Sequence, residues 1–384
     1  MEIRMAMNRR SVLKGTALLG AAALLRGRSA AADDAVTVGV SGPLTGPNAQ
    51  YGAQWKASFD LAIEQIAAAG GPAIKYVFED SQSDPRQSVA VAQKFVNDPS
   101  IIMEIGDFSS TASMAASPIY QRAKLVQFGM TNSHPDFTKG GDYMWSSSIT
   151  QAEEQPNLAD YAVNGLGLKR LAVLHLNTDW GTTAKGFFVK AAQDKGAEVV
   201  ATEGFLPNER DFRSTLVRIR DANPTGLVLE AYYGDAAVIA RQVRDLGLKL
   251  PIAAVGSVYS PKLLELGGDA VNGIYTQSNF FPDDPRPEVQ TFVKAFQAKY
   301  NRAPDGFNAT AYDTMNLFAA LVKQFGATRE GIHEGLARIK DVPSVVYGTM
   351  TFDPATRRVA GAHYVRLEVK DDKFVVWDGT KPAT

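Results

Sequence analysis

The chain has no cysteine in its 384 residues. Disulfides, thiol nucleophiles, iron–sulfur clusters and a lipid-modified N-terminal cysteine are thereby excluded. Histidine is scarce: His134, His175, His333 and His363 are scattered without ligand spacing, which argues against a metal site. Lysine plus arginine number 40 against 41 acids, a formal net charge of −1. With no basic tract and no low-complexity tail, the chain carries no field for nucleic acid or an anionic membrane. Signature loops are missing too. There is no G-x-x-x-x-G-K-[ST], no G-x-G-x-x-G after a strand and no G-x-S-x-G elbow. No cofactor is implied.

What is present begins with a targeting segment. Arg9-Arg10-Ser11-Val12-Leu13-Lys14 is a paired arginine followed by apolar residues, and Gly15–Leu25 is a mild Ala/Gly/Leu run. That run is too short for a stable membrane anchor. Ala30-Ala31-Ala32 reads as a cleavage site. Residues 1–32 therefore resemble a twin-arginine export signal, with the mature protein starting near Asp33 in the periplasm and not inserted in the membrane. An exported protein has no ATP or NADH pool to draw on.

From Val36 short β-rich runs alternate with long amphipathic stretches. The strands are Val36–Ser41, Lys75–Glu79, Ile101–Ile105 and Leu125–Phe128, and the helices are Gly52–Ala69, Pro85–Asn97 and Thr111–Ala123. After a helix over Gln151–Gly165, a second series has strands at Leu171–His175, Glu198–Phe205, Gly226–Glu230, Ile252–Val255 and Ile274–Gln277. This alternation predicts an α/β fold of two lobes, each a mostly parallel sheet flanked by helices. Helices return at Glu288–Tyr300, Phe307–Gln324 and Arg329–Ile339, and the C-terminal stretch is β-like. No long linker separates the lobes, so several short crossings would serve as a hinge.

Three places carry candidate chemistry. The stretch Gly106–Ser117, GDFSSTASMAAS, puts five hydroxyls where a strand turns into a helix. The free N–H groups of such a helix start, with Ser110 and Thr111 beside them, suit a carboxylate. A second hydroxyl cluster, Thr131-Asn132-Ser133, follows the next strand. Adjacent strand ends are where open α/β sheets bind ligands. An aromatic echoes between the lobes: Gln50-Tyr51-Gly52 and Asp179-Trp180-Gly181 each precede a helix. Both aromatics would face one cleft, or each would act as a helix staple. Tyr232, after Gly226–Glu230, offers a ring and a phenol there, and Glu230 could reach the cleft or remain an ion-paired acid.

Together these residues resemble type I periplasmic solute-binding proteins of the leucine/isoleucine/valine class, which serve ABC transporters. The matching motifs run from Val38-Gly39-Val40-Ser41-Gly42-Pro43-Leu44-Thr45-Gly46 through Asp84-Pro85, Ser117-Pro118-Ile119-Tyr120, Asp211-Phe212 and Ala311-Tyr312-Asp313 to Thr351-Phe352-Asp353-Pro354. The resemblance implies two Rossmann-like lobes joined by a three-crossing hinge and closing on a ligand. It divides the mature chain into an N-terminal lobe of residues 33–150 and 281–342 and a C-terminal lobe of residues 151–280 and 343–384. It also implies that Ser110 takes the ligand carboxylate, that Thr131 and Ser133 clasp the polar end, and that Tyr51, Trp180 and Tyr232 close over it.

One position departs from the pattern. Amino-acid binders of this class carry an acid after the strand Ile252–Val255, where it meets the ligand's ammonium; here the matching residue is Gly256. Either Glu230 substitutes, or the ligand is an aromatic acid, keto acid or amide without an ammonium. The expected partners are a small carboxylate-bearing ligand and an ABC permease of the inner membrane. A ligand-sensing subunit for a membrane receptor and a secreted amidase using Ser110 are the alternatives.

Overall fold

Strand and helix alternate in the structure from Val36 onward. The computed structural model describes residues 35–359, 361 and 363–382, so the export segment read in residues 1–32 lies outside the described residues. In chain order the first lobe opens with β1 (Val36–Gly42), α1 (Ala49–Ala68), β2 (Ile74–Asp80), α2 (Pro85–Asn97), β3 (Ile101–Gly106), α3 (Ser110–Ala123), β4 (Val126–Phe128) and β5 (Met144–Trp145). The strands lie in the order β2-β1-β3-β4-β5, all parallel. Every residue of β3 and β4 is buried, as expected of strands covered on both faces. Local chemistry sets the helix starts. Asp84 accepts from the N–H groups of Arg86 (2.8 Å) and Gln87 (3.1 Å), and Pro85 occupies the first helical position, where its missing N–H costs nothing.

The chain then enters the second lobe through α4 (Gln151–Asp160), which continues into a wider π turn over Tyr161–Gly165. There follow β6 (Arg170–Leu176), α5 (Asp179–Asp194), β7 (Glu198–Phe205), α6 (Arg213–Asp221), β8 (Gly226–Glu230), α7 (Tyr233–Asp245), β9 (Ile252–Ala254), α8 (Pro261–Gly267) and β10 (Ile274–Ser278). The run β7-β6-β8-β9-β10 is parallel. After β10 the chain recrosses. α9 (Pro287–Tyr300), α10 (Gly306–Phe325) and α11 (Arg329–Arg338) cover the first lobe, where Asn308 Nδ2 donates to Gln54 O of α1 at 2.7 Å.

The stretch 343–359, expected to travel with the second lobe, lies against the first sheet instead. The hairpin β11 (Val342–Ser344) and β12 (Gly348–Met350) is tied to α10 by Asp313, whose carboxylate accepts from Ser344 Oγ (2.5 Å) and the N–H of Val345 (2.9 Å). The next pair, β13 (Phe352–Asp353) and β14 (Arg358–Val359), sets Phe352 edge-on to Phe128 and Trp145, both 5.9 Å away. Apolar contact with β4 and β5 decides the placement. The chain crosses for the third time only after Val359. β15 (Val365–Lys370) and β16 (Lys373–Val376) then add antiparallel to the second sheet beside β10. No helix among the described residues is long and apolar enough to cross a membrane.

Candidate functional site: a cavity where the two sheets face each other

The carboxyl ends of both parallel sheets point at one cleft with a cavity of about 120 Å³. The first lobe contributes Phe108 from the turn before α3, Thr131 and Ser133 after β4, and Phe307 of α10. The second lobe contributes Glu154 of α4, Trp180 of α5, Tyr232 before α7, Gly256 after β9, and Tyr364 before β15. No lysine or arginine is among the lining residues. An anion held here would rest on hydroxyls and helix N-termini.

The predicted residues fall into two groups. Thr131, Ser133, Trp180 and Tyr232 line the cavity. Trp180 stacks on Tyr232 with ring centroids 5.0 Å apart, and its Nε1 donates to Ser133 Oγ at 3.0 Å. Tyr51, Ser110 and Glu230 lie one layer back, outside the lining. Tyr51 lies flat on Phe108, centroids 3.7 Å apart, and its hydroxyl donates to Ser257 O at 2.7 Å. It thus braces one lobe against the other. Ser110 Oγ accepts from the His134 N–H at 3.4 Å. Glu230 is fully buried, and Gln155 Nε2 donates to one of its oxygens at 3.0 Å.

Most hydroxyls of the Gly106–Ser117 stretch have structural partners. Ser109 caps α3 by accepting from the Ala112 N–H at 3.5 Å. Ser113 Oγ accepts from the Asp107 N–H (2.7 Å) and from Asn132 Nδ2 (2.8 Å), and Ser117 donates to Gln127 at 2.6 Å. The buried Asp107 carboxylate collects the hydroxyls of Ser81, Ser83 and Ser88 and the Ser109 N–H. These serines build a rigid floor under the Thr131–His134 loop.

That loop is also held from below by Arg358. Only 6% exposed, it donates to the carbonyls of Asn132 (3.0 Å), His134 (2.8 Å) and Ser148 (3.0 Å) and to Ser146 Oγ (3.2 Å). Burial lowers its pKa to about 10, still charged at neutral pH. His134 Nδ1 accepts from the Asp136 N–H at 3.1 Å, so the neutral ring carries its proton on Nε2 and donates to Thr183 Oγ1 at 3.0 Å. Burial lowers the histidine pKa and favours that neutral form.

Sequence reasoning missed Glu154, Tyr364, Phe108 and Phe307. Glu154 sits in an ordinary acidic helix turn, Gln151-Ala152-Glu153-Glu154, and only its approach to Gly256 sets it apart. Its carboxyl lies beside Gly256, and desolvation in the cleft raises its pKa to about 7. Glu230 is pushed well above the ordinary range, first by burial and then by the neighbouring Glu154.

The chain belongs to the periplasmic binding protein family, whose model matches residues 35–373. A Leu/Ile/Val-binding protein homolog of Brucella abortus is 28% identical over 353 residues, spanning 90% of this chain and 92% of that protein. Two solved structures share the fold. One is a branched-chain amino acid transporter substrate-binding protein of Streptococcus pneumoniae in complex with isoleucine, with TM-score 0.82, 24% identity and coverage of 88% and 97%. The other is a solute-binding protein of R. palustris in complex with 4-hydroxybenzoate, with TM-score 0.81, 23% identity and coverage of 90% and 96%.

Proposed function

We propose that this protein is the substrate-binding component of an ABC transporter, working in the periplasm after export and delivering a small carboxylate-bearing solute to an inner-membrane permease. The lobes would divide as residues 35–150 with 281–359 against residues 151–280 with 363–382. The observation that carries the reading is the cavity between two facing sets of strand ends, with hydroxyls at one side and stacked aromatics at the other. Its relatives carry solute-binding names. The carboxylate would rest on Thr131 and Ser133, backed by Ser110 and the N-terminus of α3, while Trp180 and Tyr232 cover the apolar part and Tyr51 holds the lobes shut.

An amidase reading lacks its base. His134 meets Ser110 through its backbone N–H, and its two ring nitrogens face the Asp136 N–H and Thr183 instead. Calorimetric titration tests the binding reading. Replacing Thr131 and Ser133 together by alanine is expected to weaken binding of small carboxylates about 30- to 150-fold, at ~1–1.5 kcal/mol per lost hydrogen bond. Ser110→Ala acts through His134 and is expected to cost less. Unchanged affinity in the double variant would refute the seat.

A further inference from the structure

We infer that Glu154, reaching in from α4, occupies the acid position that Gly256 leaves empty, and that the ligand therefore carries a cationic amine beside its carboxylate. The inference rests on the solute-binding reading above and names the ligand class. A Cβ added to Gly256 would stand 3.2 Å from Glu154 Oε1 and 2.8 Å from Gln277 O. A side chain at position 256 and the Glu154 carboxyl thus compete for one place. The glycine that appears to remove the acid makes room for another acid, supplied by a different element of the same lobe.

The surroundings of Glu154 ask for a cation. The Glu154 carboxyl lies against Gly256, and Gln277 Nε2 donates to the Glu154 backbone carbonyl at 3.0 Å. From β8 it faces Glu230, whose Oε1 has no hydrogen-bond partner within the protein. From the segment before β15 it faces the Tyr364 hydroxyl, also without a partner. Among the described residues no lysine, arginine or histidine pairs with Glu154. An ammonium placed here gains an ion pair with Glu154, a phenol oxygen from Tyr364 and the nearby ring of Tyr232. A ligand with a carboxylate and no amine would bring a second anion into a cavity whose lining holds no cation. Zwitterions are thereby favoured over keto acids.

A proton signature follows. Desolvation raises the pKa of the half-buried Glu154 carboxyl to about 7, where its charge responds to pH near neutrality. An ammonium beside it lowers that value, and binding releases a proton. Affinity for an amine ligand should rise as pH rises through 7 and fall as pH drops below it.

The test is calorimetry on the full mature protein with paired probes: leucine, valine and phenylalanine, and the keto acids 4-methyl-2-oxopentanoate, 3-methyl-2-oxobutanoate and phenylpyruvate. Titrations at pH 7 in two buffers of different ionisation enthalpy give the proton count. At least one amino acid is expected to bind better than its keto acid, with proton release. Glu154→Gln should weaken that amino acid on the order of 100-fold and abolish the release. Binding by keto acids or 4-hydroxybenzoate alone, with Glu154→Gln indifferent, overturns the inference and leaves the solute-binding reading standing. Silence from every carboxylate overturns both. Glu154→Asp separates charge from shape: partial rescue of affinity with proton release retained is expected, and loss equal to that of Glu154→Gln would overturn the charge role.

Discussion

Arg358 ties the Thr131–His134 loop to the strand pair at 352–359. It is too far along the chain for sequence proximity to hint at a role, yet it satisfies three carbonyls of the loops at 132–134 and 148. Replacing it with methionine would keep much of the packing and leave those carbonyls buried and unpaired. The expected cost is ~3 kcal/mol, since each orphaned acceptor costs about 1 kcal/mol or more. Thermal unfolding checks this. Arg358→Lys should recover little, because one ammonium cannot span the fan of acceptors that a planar guanidinium reaches. At the same scale, Glu154 shows why the site was only partly legible. A motif places Thr131, Ser133, Trp180 and Tyr232 by their position after a strand. Glu154 lies on a helix far from any strand end, and its exposed neighbour Glu153 has the same local pattern. Only the missing Cβ of Gly256 gives it meaning.

The repeated Tyr51-Gly52 and Trp180-Gly181 pairs acquire a shared cause at the scale of the element. A Cβ on Gly52 would fall 1.9 Å from Pro43 O, and one on Gly181 would fall 2.0 Å from Leu176 O. Each glycine lets the first turn of its helix press against the end of a strand, which sets Trp180 on the cavity wall and Tyr51 one layer behind it. Gly181→Ala is expected to push α5 outward, destabilise by about 1–3 kcal/mol and weaken ligand binding. Wild-type melting and affinity in that variant would refute the close-approach argument. Elements with strong local signals were legible: Pro85–Asn97 from its Asp-Pro start, and Glu198–Phe205 and Gly226–Glu230 from their β-rich runs. Met144–Trp145, Val342–Ser344 and Arg358–Val359 were not, because pieces of two or three residues exist only by pairing with strands already in place. The short helix Pro261–Gly267 escaped for a related reason, being too brief to show a period.

The lobes touch around the cleft through few polar contacts. Tyr51 reaches Ser257 O at 2.7 Å, Tyr233 reaches Pro47 O at 2.6 Å, His134 meets Thr183 at 3.0 Å, and Trp180 donates to Ser133 Oγ at 3.0 Å and to Thr111 Oγ1 at 3.4 Å. A latch of this size allows opening, and the ligand supplies the rest of the closing free energy. The Tyr51→Phe, Tyr233→Phe double variant should lose roughly 10-fold in affinity through faster release, at about 1 kcal/mol per hydroxyl and with some compensation by water. Stopped-flow dissociation measures this, and an unchanged off-rate would remove the latch from the mechanism. The order in which the second sheet is completed has a consequence for how the molecule is made. β10 pairs with β15 across a long span of chain, Thr276 against Leu367, and the intervening residues build the first lobe. During synthesis β10 therefore waits as an open edge until the final strands emerge. The first sheet is complete once Met144–Trp145 has emerged, but its covering helices and the strands up to Val359 come late, so both lobes become whole only near release. Any machinery that exports this protein in folded form must act after translation has ended.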